Sequence, residues 1–260
     1  MASKRTALIT GSTTGIGLSI AHHLAAKGCN IVLNGLATDA EMASHIEEIT
    51  TKHSVGVIFE DTDVGDAKKV ATMVKRAEDE FGGVDVVVNN AVTRVFGLIE
   101  DVDPADWDRG LAVNLSSAFN TIHCAMPGMK ARNYGRIVNM SSIYGLIGTA
   151  NRSSYVTAKT ALIGLTRAVA MEVVDYNISC NAVCPGSVNT SHSDGTIART
   201  MDAEGIDEKA ATEKFLAGKQ PTGRFIPPSD VAELVTFLCT VETTSINGAA
   251  MPIDMAWSVS

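Results

Sequence analysis

Thr6-Ala-Leu-Ile-Thr10-Gly11-Ser12-Thr13-Thr14-Gly15-Ile16-Gly17 is an apolar run that stops at a glycine-rich turn. Helical spacing follows at once through Leu18, Ile20, Ala21, Leu24 and Ala25, and ends near Gly28. A strand, a glycine turn and a helix N-terminus make an anion site, because free backbone N–H groups and the helix dipole both face a pyrophosphate. Glycine turns are common, and this spacing is not the simple G-x-G-x-x-G. The strand before it and the helix after it are what give it weight.

Working outward, Asn30-Ile-Val-Leu-Asn34 reads as a second strand, ending where the adenosine ribose of a dinucleotide is expected. An acidic residue there binds the 2′-hydroxyl of NAD, and a basic one accommodates the extra phosphate of NADP. Residues 34–38 hold neither, and residues 12–14 add no cation, so a 2′-phosphate would stay uncompensated. NAD is the expected cofactor, with NADP the lesser alternative. A helix over residues 39–53 and a strand over 55–59 follow. Asp61-Thr-Asp63-Val64 comes next, where Asp63 either accepts from an adenine amino group or caps the coming helix. A helix over residues 67–81 and an apolar, parallel-type strand over 84–90 continue the alternation.

This alternation argues for right-handed βαβ units and an α/β fold of the Rossmann type, a doubly wound parallel sheet with helices on both faces. The spacing further predicts a long helix over 104–131, buried strands over 135–142 and 178–184, a helix near 230–240 and a short strand around 249–254. Residues 191–217 are polar, with little strand character, and read as a small helical lid. No repeat or linker interrupts the chain. Residues 1–260 are expected to form one domain, with a cofactor half over about 1–135 and a catalytic and substrate half over about 136–260.

Composition narrows the function. The chain is 45% apolar and 19% charged with a net charge of −8, so nucleic acid is not an expected partner. The N-terminal run that stops at Gly11 is too short for a signal-peptide core or a membrane span. Five scattered cysteines read as free thiols, which fits a reducing cytoplasm. Cys180 and Cys184 fall in an apparent buried strand with no nearby histidine, and the histidines show no ligand spacing, so no metal is expected.

Tyr155-Val-Thr-Ala-Lys159 precedes apolar residues at helical spacing (Leu162, Leu165, Val169, Val173), which places both polar residues on the first turns of a helix. Side chains four residues apart share one face. An ammonium beside a phenol stabilises the phenolate and makes tyrosine a usable proton shuttle. Ser142 ends an apparent strand that runs into a loop, where a hydroxyl can steady an oxyanion. Asn114, inside the predicted long helix, either caps a local bend or holds a water that connects Lys159 to solvent. Alone, Y-x-x-x-K reads far more readily as a surface pair on an ordinary helix.

Jointly, Thr10-Gly11-Ser-Thr-Thr-Gly15-Ile16-Gly17, Asn89-Asn90-Ala91, Asn114, Ser142, Tyr155-x-x-x-Lys159 and Pro185-Gly186 through Thr190 resemble the classical short-chain dehydrogenase/reductase family over essentially the whole chain. The resemblance implies that Tyr155 is the general acid/base and Ser142 polarises the carbonyl. It also implies that Lys159 binds the nicotinamide ribose and favours the Tyr155 phenolate, while Asn114 continues the proton relay. Nucleotide contacts are implied for Gly11, Thr13, Thr14, Gly15, Ile16, Gly17, Leu36, Asp63, Val64, Asn90, Pro185 and Gly186. Val188 and Thr190 are implied to back the nicotinamide and fix its carboxamide. A homotetramer is implied as well, paired through the helices around Asn114 and after Tyr155. Two departures stand out. Val92 replaces the glycine of Asn-Asn-Ala-Gly, which is expected to disturb the backbone near the nucleotide. Asp254-Met255-Ala256 replaces a frequent Asp-Gly-Gly and is expected to reshape one cavity wall.

Within the family, the chain is most similar to bacterial D-3-hydroxybutyrate dehydrogenases, through residues 31–35, Ser142 to Lys159 and the Lys219-Gln-Pro221 ending of the lid. The positions that clamp the substrate carboxylate there carry Arg94, Tyr144, Arg152 and Thr196 here. Guanidinium groups bind anions in a forked geometry, so an acidic hydroxy substrate is expected, bulkier or more highly charged than 3-hydroxybutyrate. Ser142 and Tyr155 complete the expected substrate contacts. In the alternative, Arg94 and Arg152 are rim residues, or pair with a lid carboxylate such as Glu204, and the substrate is a neutral cyclic or carrier-linked ketone. A non-catalytic, cofactor-binding scaffold is the remaining reading, and Val92 is the feature that favours it.

Overall fold

In the computed structural model, which describes residues 4–260, strands and helices alternate from the start; Met1–Ser3, which lead into the N-terminal apolar run, lie outside the described residues. β1 (Thr6–Ile9) passes through the glycine turn into α1 (Gly15–Ala26). The elements β2 (Asn30–Asn34), α2 (Asp39–His53), β3 (Val57–Glu60), α3 (Ala67–Phe81) and β4 (Val86–Asn89) continue the pattern. The predicted long helix is interrupted: α4 (Pro104–Leu111) and α5 (Ser117–Arg132) flank a π-helical turn at Ala112–Ser116. Then come β5 (Gly135–Met140), α6 (Ser153–Glu172), β6 (Ile178–Pro185), the helix pair α7 (Ser191–Glu204) and α8 (Glu208–Leu216), α9 (Pro228–Thr240) and β7 (Ala250–Ile253).

The strands form one sheet in the order β3-β2-β1-β4-β5-β6-β7, and every neighbouring pair is parallel. Side chains alternate between its two faces. Ala7, Ile9, Ile31 and Leu33 pack with Ile20 and Leu24 of α1 and Val231, Val235 and Leu238 of α9. Leu8, Val32, Val87 and Ile137 pack with Val70 and Met73 of α3, Ile122 and Met129 of α5 and Val169 of α6. Both faces are buried, which is why the strands read as unbroken apolar runs. The five cysteines are free thiols, all buried except the half-buried Cys124. No helix among the described residues is long and apolar enough to cross a membrane.

The sheet order reverses between β1 and β4. In such sheets, ligands bind in the crevice at the carboxyl ends of the strands around that switch. The loops leaving β1, β4, β5 and β6 there carry Gly11, Asn90, Ser142 and Gly186.

Two details correct the sequence reading. The N-cap of α3 is Asp66, which accepts from Lys68 N at 2.9 Å and Lys69 N at 3.3 Å, so Asp63 does not cap that helix. The histidines also gather despite their spacing. α1 and α2 lie side by side, and ligand atoms of His22, His45 and Glu48 come within 4.8 Å of one another. Spacing along one helix cannot report a cluster shared by two.

After β7, Met255 and Ala256 both adopt left-handed backbone conformations, with φ of 50° and 68°. The Asp254 carboxylate accepts from Ala256 N at 3.2 Å and Ser258 N at 2.7 Å and holds this bend. A left-handed residue with a side chain costs about 1–2 kcal/mol, partly offset by the chain entropy that glycine loses on folding. Met255→Gly with Ala256→Gly is therefore expected to stabilise the fold by about 1 kcal/mol, read as a higher Tm in thermal unfolding.

Candidate active site

At the phosphate end, the β1 and β4 loops are laced together. Thr10 Oγ1 accepts from Asn90 N at 2.9 Å and Ala91 N at 3.0 Å. Asn90 Nδ2 donates to Thr10 O at 3.0 Å and Gly11 O at 2.7 Å. This approach requires bare backbone: a Cβ on Gly17 would lie 2.2 Å from Gly11 O and 2.6 Å from Asn90 Nδ2. Gly11 itself has φ +62° and would place a Cβ 2.7 Å from Ala91 Cα. Thr14, the N-cap of α1, makes no side-chain cap, so the first-turn N–H groups of Gly15, Ile16 and Gly17 stay open toward the crevice. Open donors at a helix N-terminus, with room kept by absent side chains, fit a nucleotide pyrophosphate.

At the adenosine end, Asn34 is buried and committed to the scaffold. Its Nδ2 donates to Glu60 O at 3.0 Å and Thr62 O at 2.9 Å, and its Oδ1 accepts from Gly11 N at 3.3 Å. Leu36 is 76% exposed. Asp63 takes both terminal nitrogens of Arg109 at 3.0 Å and accepts from Gly65 N at 2.9 Å. The Arg109 hydrogen bonds hold its carboxyl below the usual range. Val64 is buried against the core beneath it.

The catalytic candidates meet on one wall. Ser142 leaves β5 as the cap of a short 3-10 turn, Ile143–Gly145, and its Oγ accepts from Tyr144 N at 3.2 Å. Accepting there leaves the hydroxyl proton free to donate. Tyr155 lies on the first turn of α6, and Lys159 Nζ stands 5.6 Å from its ring centroid. That ammonium is buried and donates to Met140 O at 2.7 Å; burial first, then Arg94, pushes Lys159 down to about 7. Ser141 Oγ donates to Lys159 O at 2.7 Å and ties the β5 loop to α6.

Asn114 is tied to the loop after β4. It sits in the π-helical turn, and its amide holds both backbone groups of Thr93: Oδ1 accepts from Thr93 N at 3.0 Å and Nδ2 donates to Thr93 O at 2.9 Å. Its side chain thus positions the loop after β4, the loop that carries Val92 and Arg94.

One cavity contains Ser142, Tyr155 and Lys159 together with Ile16, Asn90, Pro185, Gly186, Val188 and Thr190. Gly11, Thr13, Thr14, Gly15, Gly17, Leu36, Asp63 and Val64 are not in its lining. Thr190 Cγ2 would nonetheless stand 3.5 Å from a Cβ on Gly15, so the start of α7 overhangs the glycine turn. The same cavity holds Arg94, Tyr144 and Arg152. The Arg152 guanidinium lies 4.7 Å from the Phe96 ring centroid and 5.4 Å from that of Tyr144, whose ring meets Trp257 edge-on. Neither arginine forms an ion pair with a carboxylate among the described residues, and Glu204 pairs with Lys214 instead.

Thr196 does not reach the cavity; its hydroxyl bonds His192 O at 3.0 Å within its own helix. His192 and Lys219 line the cavity instead, and sequence reasoning assigned neither a role. Their signal was the lid boundary: a helix starting at Ser191 points its first turn at the nicotinamide end of the crevice. Burial, followed by Arg94 and Arg152, pushes His192 down to about 4, and burial with Arg152 brings Lys219 to about 8. Val92 shows no positive φ, so the expected backbone strain does not arise; its side chain forms part of the cavity wall.

Comparison with known proteins agrees with this geometry. The family described as short chain dehydrogenase matches residues 5–200. A D-beta-hydroxybutyrate dehydrogenase of Cupriavidus necator is 38% identical over 99% of both chains. Another, from Rhizobium meliloti, is 39% identical over 98% of both. Among solved structures, L-sorbose reductase from Gluconobacter frateurii, complexed with NADPH and L-sorbose, superposes with a TM-score of 0.94 at 29% identity, covering 99% of this chain and 98% of that one. By its sequence, its sheet order and the residues gathered at its crevice, this chain belongs to the short-chain dehydrogenase family.

Proposed function

We propose that this protein is an NAD-linked dehydrogenase that interconverts an anionic secondary alcohol, a hydroxy acid of the 3-hydroxybutyrate type, and its ketone. The open N–H groups of residues 15–17 and the bare turn at Gly11 and Gly17 would hold the nucleotide phosphates, with Pro185, Gly186, Val188 and Thr190 around the nicotinamide. When bound, a nicotinamide nucleotide supplies the two-electron exchange at the carbinol carbon. The chain supplies the rest. Tyr155 takes the alcohol proton or returns it, and the Ser142 hydroxyl donates to the substrate oxygen. Lys159 Nζ, anchored on Met140 O, lies beside the phenol ring, where its protonated form favours the phenolate. Asn114 fixes the loop that brings Arg94 to the cavity.

NAD is favoured because no cation occupies residues 12–14 or 34–38, and Arg109 is engaged by Asp63. Assembly as four copies, in the cytoplasm, goes with this reading. Exposed Phe119 on α5 and Met171 on α6 are apolar surface that such pairing would cover, and the mass in solution tests it.

The observation that carries the proposal is one cavity lined both by proton-handling groups, Ser142, Tyr155 and Lys159, and by Arg94 and Arg152, neither paired with a carboxylate among the described residues. The test is Arg152→Ala assayed on hydroxy acids and matched neutral alcohols, with NAD and NADP in parallel. Hydroxy acids are expected to lose at least about tenfold in kcat/KM, while neutral alcohols change little. An equal loss on both classes, or none on either, would overturn the anion assignment.

A further inference from the structure

Besides the buried Lys159, three basic side chains face one cavity, and no carboxylate lines it. Arg94, Arg152 and Lys219 line it, whereas its lining includes neither aspartate nor glutamate. Each ion pair among the described residues is made elsewhere. Aromatic surface holds two of these cations, Arg152 and Lys219. The guanidinium of Arg152 has Phe96 at 4.7 Å and Tyr144 at 5.4 Å, and Lys219 Nζ sits 3.7 Å from the Phe215 ring centroid. Cation–π contact uses the ring face and leaves N–H groups unspent, available to a ligand. Phe96 also stacks on His192, with centroids 6.5 Å apart, so the loop after β4 meets α7 beside the cavity. Such enclosure strengthens every charge interaction inside.

Resting on the hydroxy-acid reading above, we infer that the substrate carries two negative charges, one group shared by Arg94 and Arg152 and a second within reach of Lys219. A single carboxylate shared by Arg94 and Arg152 would leave Lys219 without a counter-charge. The cavity already registers that strain: Lys159, His192 and Lys219 are all pushed toward their neutral forms, by burial and then by Arg94 or Arg152. A dianion supplies the missing compensation, and a monoanion supplies half of it.

The test uses the full chain with NAD and three probes that share one reacting centre. 3-Hydroxybutyrate carries one carboxylate, 3-hydroxyglutarate adds a second on the other arm, and (1-hydroxyethyl)malonate places both on the same arm. At least one dianion is expected to exceed 3-hydroxybutyrate by about tenfold or more in kcat/KM, and Lys219→Met is expected to shrink that ratio toward one. Should the variant fold poorly, dead-end inhibition of the unaltered protein with NADH gives the same reading, with glutarate expected to bind at least about tenfold tighter than butyrate. If 3-hydroxybutyrate matches or beats both dianions, or if the ratio is unmoved in a folded Lys219→Met, the two-charge inference falls. The broader reading survives that outcome as long as both acid classes outrun 3-hydroxybutyramide. Equal rates on the neutral amide would bring down the hydroxy-acid reading itself.

Discussion

Tyr155→Phe is expected to remove at least about a thousandfold from turnover while nucleotide affinity stays within severalfold. The substitution deletes only the hydroxyl. The neighbouring ammonium keeps its bond to Met140 O at 2.7 Å, so Lys159 need not move. Neither the Ser142–Tyr144 turn nor the Ser141–Lys159 tie involves the phenol oxygen. Rates on the best hydroxy acid would be compared with NADH affinity from fluorescence titration. Retained turnover would mean that the proton leaves by another group, and the assignment of the whole wall would have to be redrawn. Reduced turnover with an equal loss of NADH affinity would point to a collapsed cavity rather than to a missing acid.

Gly17→Ala is the other large effect. The added Cβ would meet Gly11 O at 2.2 Å, Asn90 Nδ2 at 2.6 Å and Ser12 Cα at 2.8 Å, two of them backbone atoms of the phosphate turn. These atoms cannot yield singly, because Asn90 is itself bonded to Thr10 and Gly11. The turn must open, and the helix N-terminus then withdraws from the phosphates. Nucleotide dissociation constants are expected to rise by about a hundredfold or more, equivalent to roughly 2.7 kcal/mol. Gly164→Ala is the control: it lies within α6, with ordinary φ and nothing within 4 Å of an added Cβ, and should stabilise the protein by up to about 1 kcal/mol. Unchanged nucleotide binding in Gly17→Ala would remove the phosphate role of this turn.

The sheet was legible because its strands are buried on both faces and separated by amphipathic helices, a pattern with few alternative topologies. Local pairs were legible too: Tyr155 and Lys159 share a helix face because they are one turn apart. Long-range commitments were not. Asn114 and Thr93 meet only because the chain turns back after β4, and no periodicity records where an amide points. The Asp63–Arg109 pair joins residues 46 apart, and either partner alone reads as an ordinary surface charge. His192 and Lys219 enter the cavity from the two ends of the helical pair, so their convergence depends on how α7 and α8 are set over the crevice.

Asn34 has a practical corollary for anyone wishing to retune coenzyme choice. It stands at the tip of β2, where an engineer would first look, yet its amide fastens both the turn after β1, through Gly11, and the end of β3, through Glu60 and Thr62. Altering it would loosen the dinucleotide platform before it changed any preference. The adjustable site is its neighbour Leu36, whose side chain stands in solvent and fastens nothing.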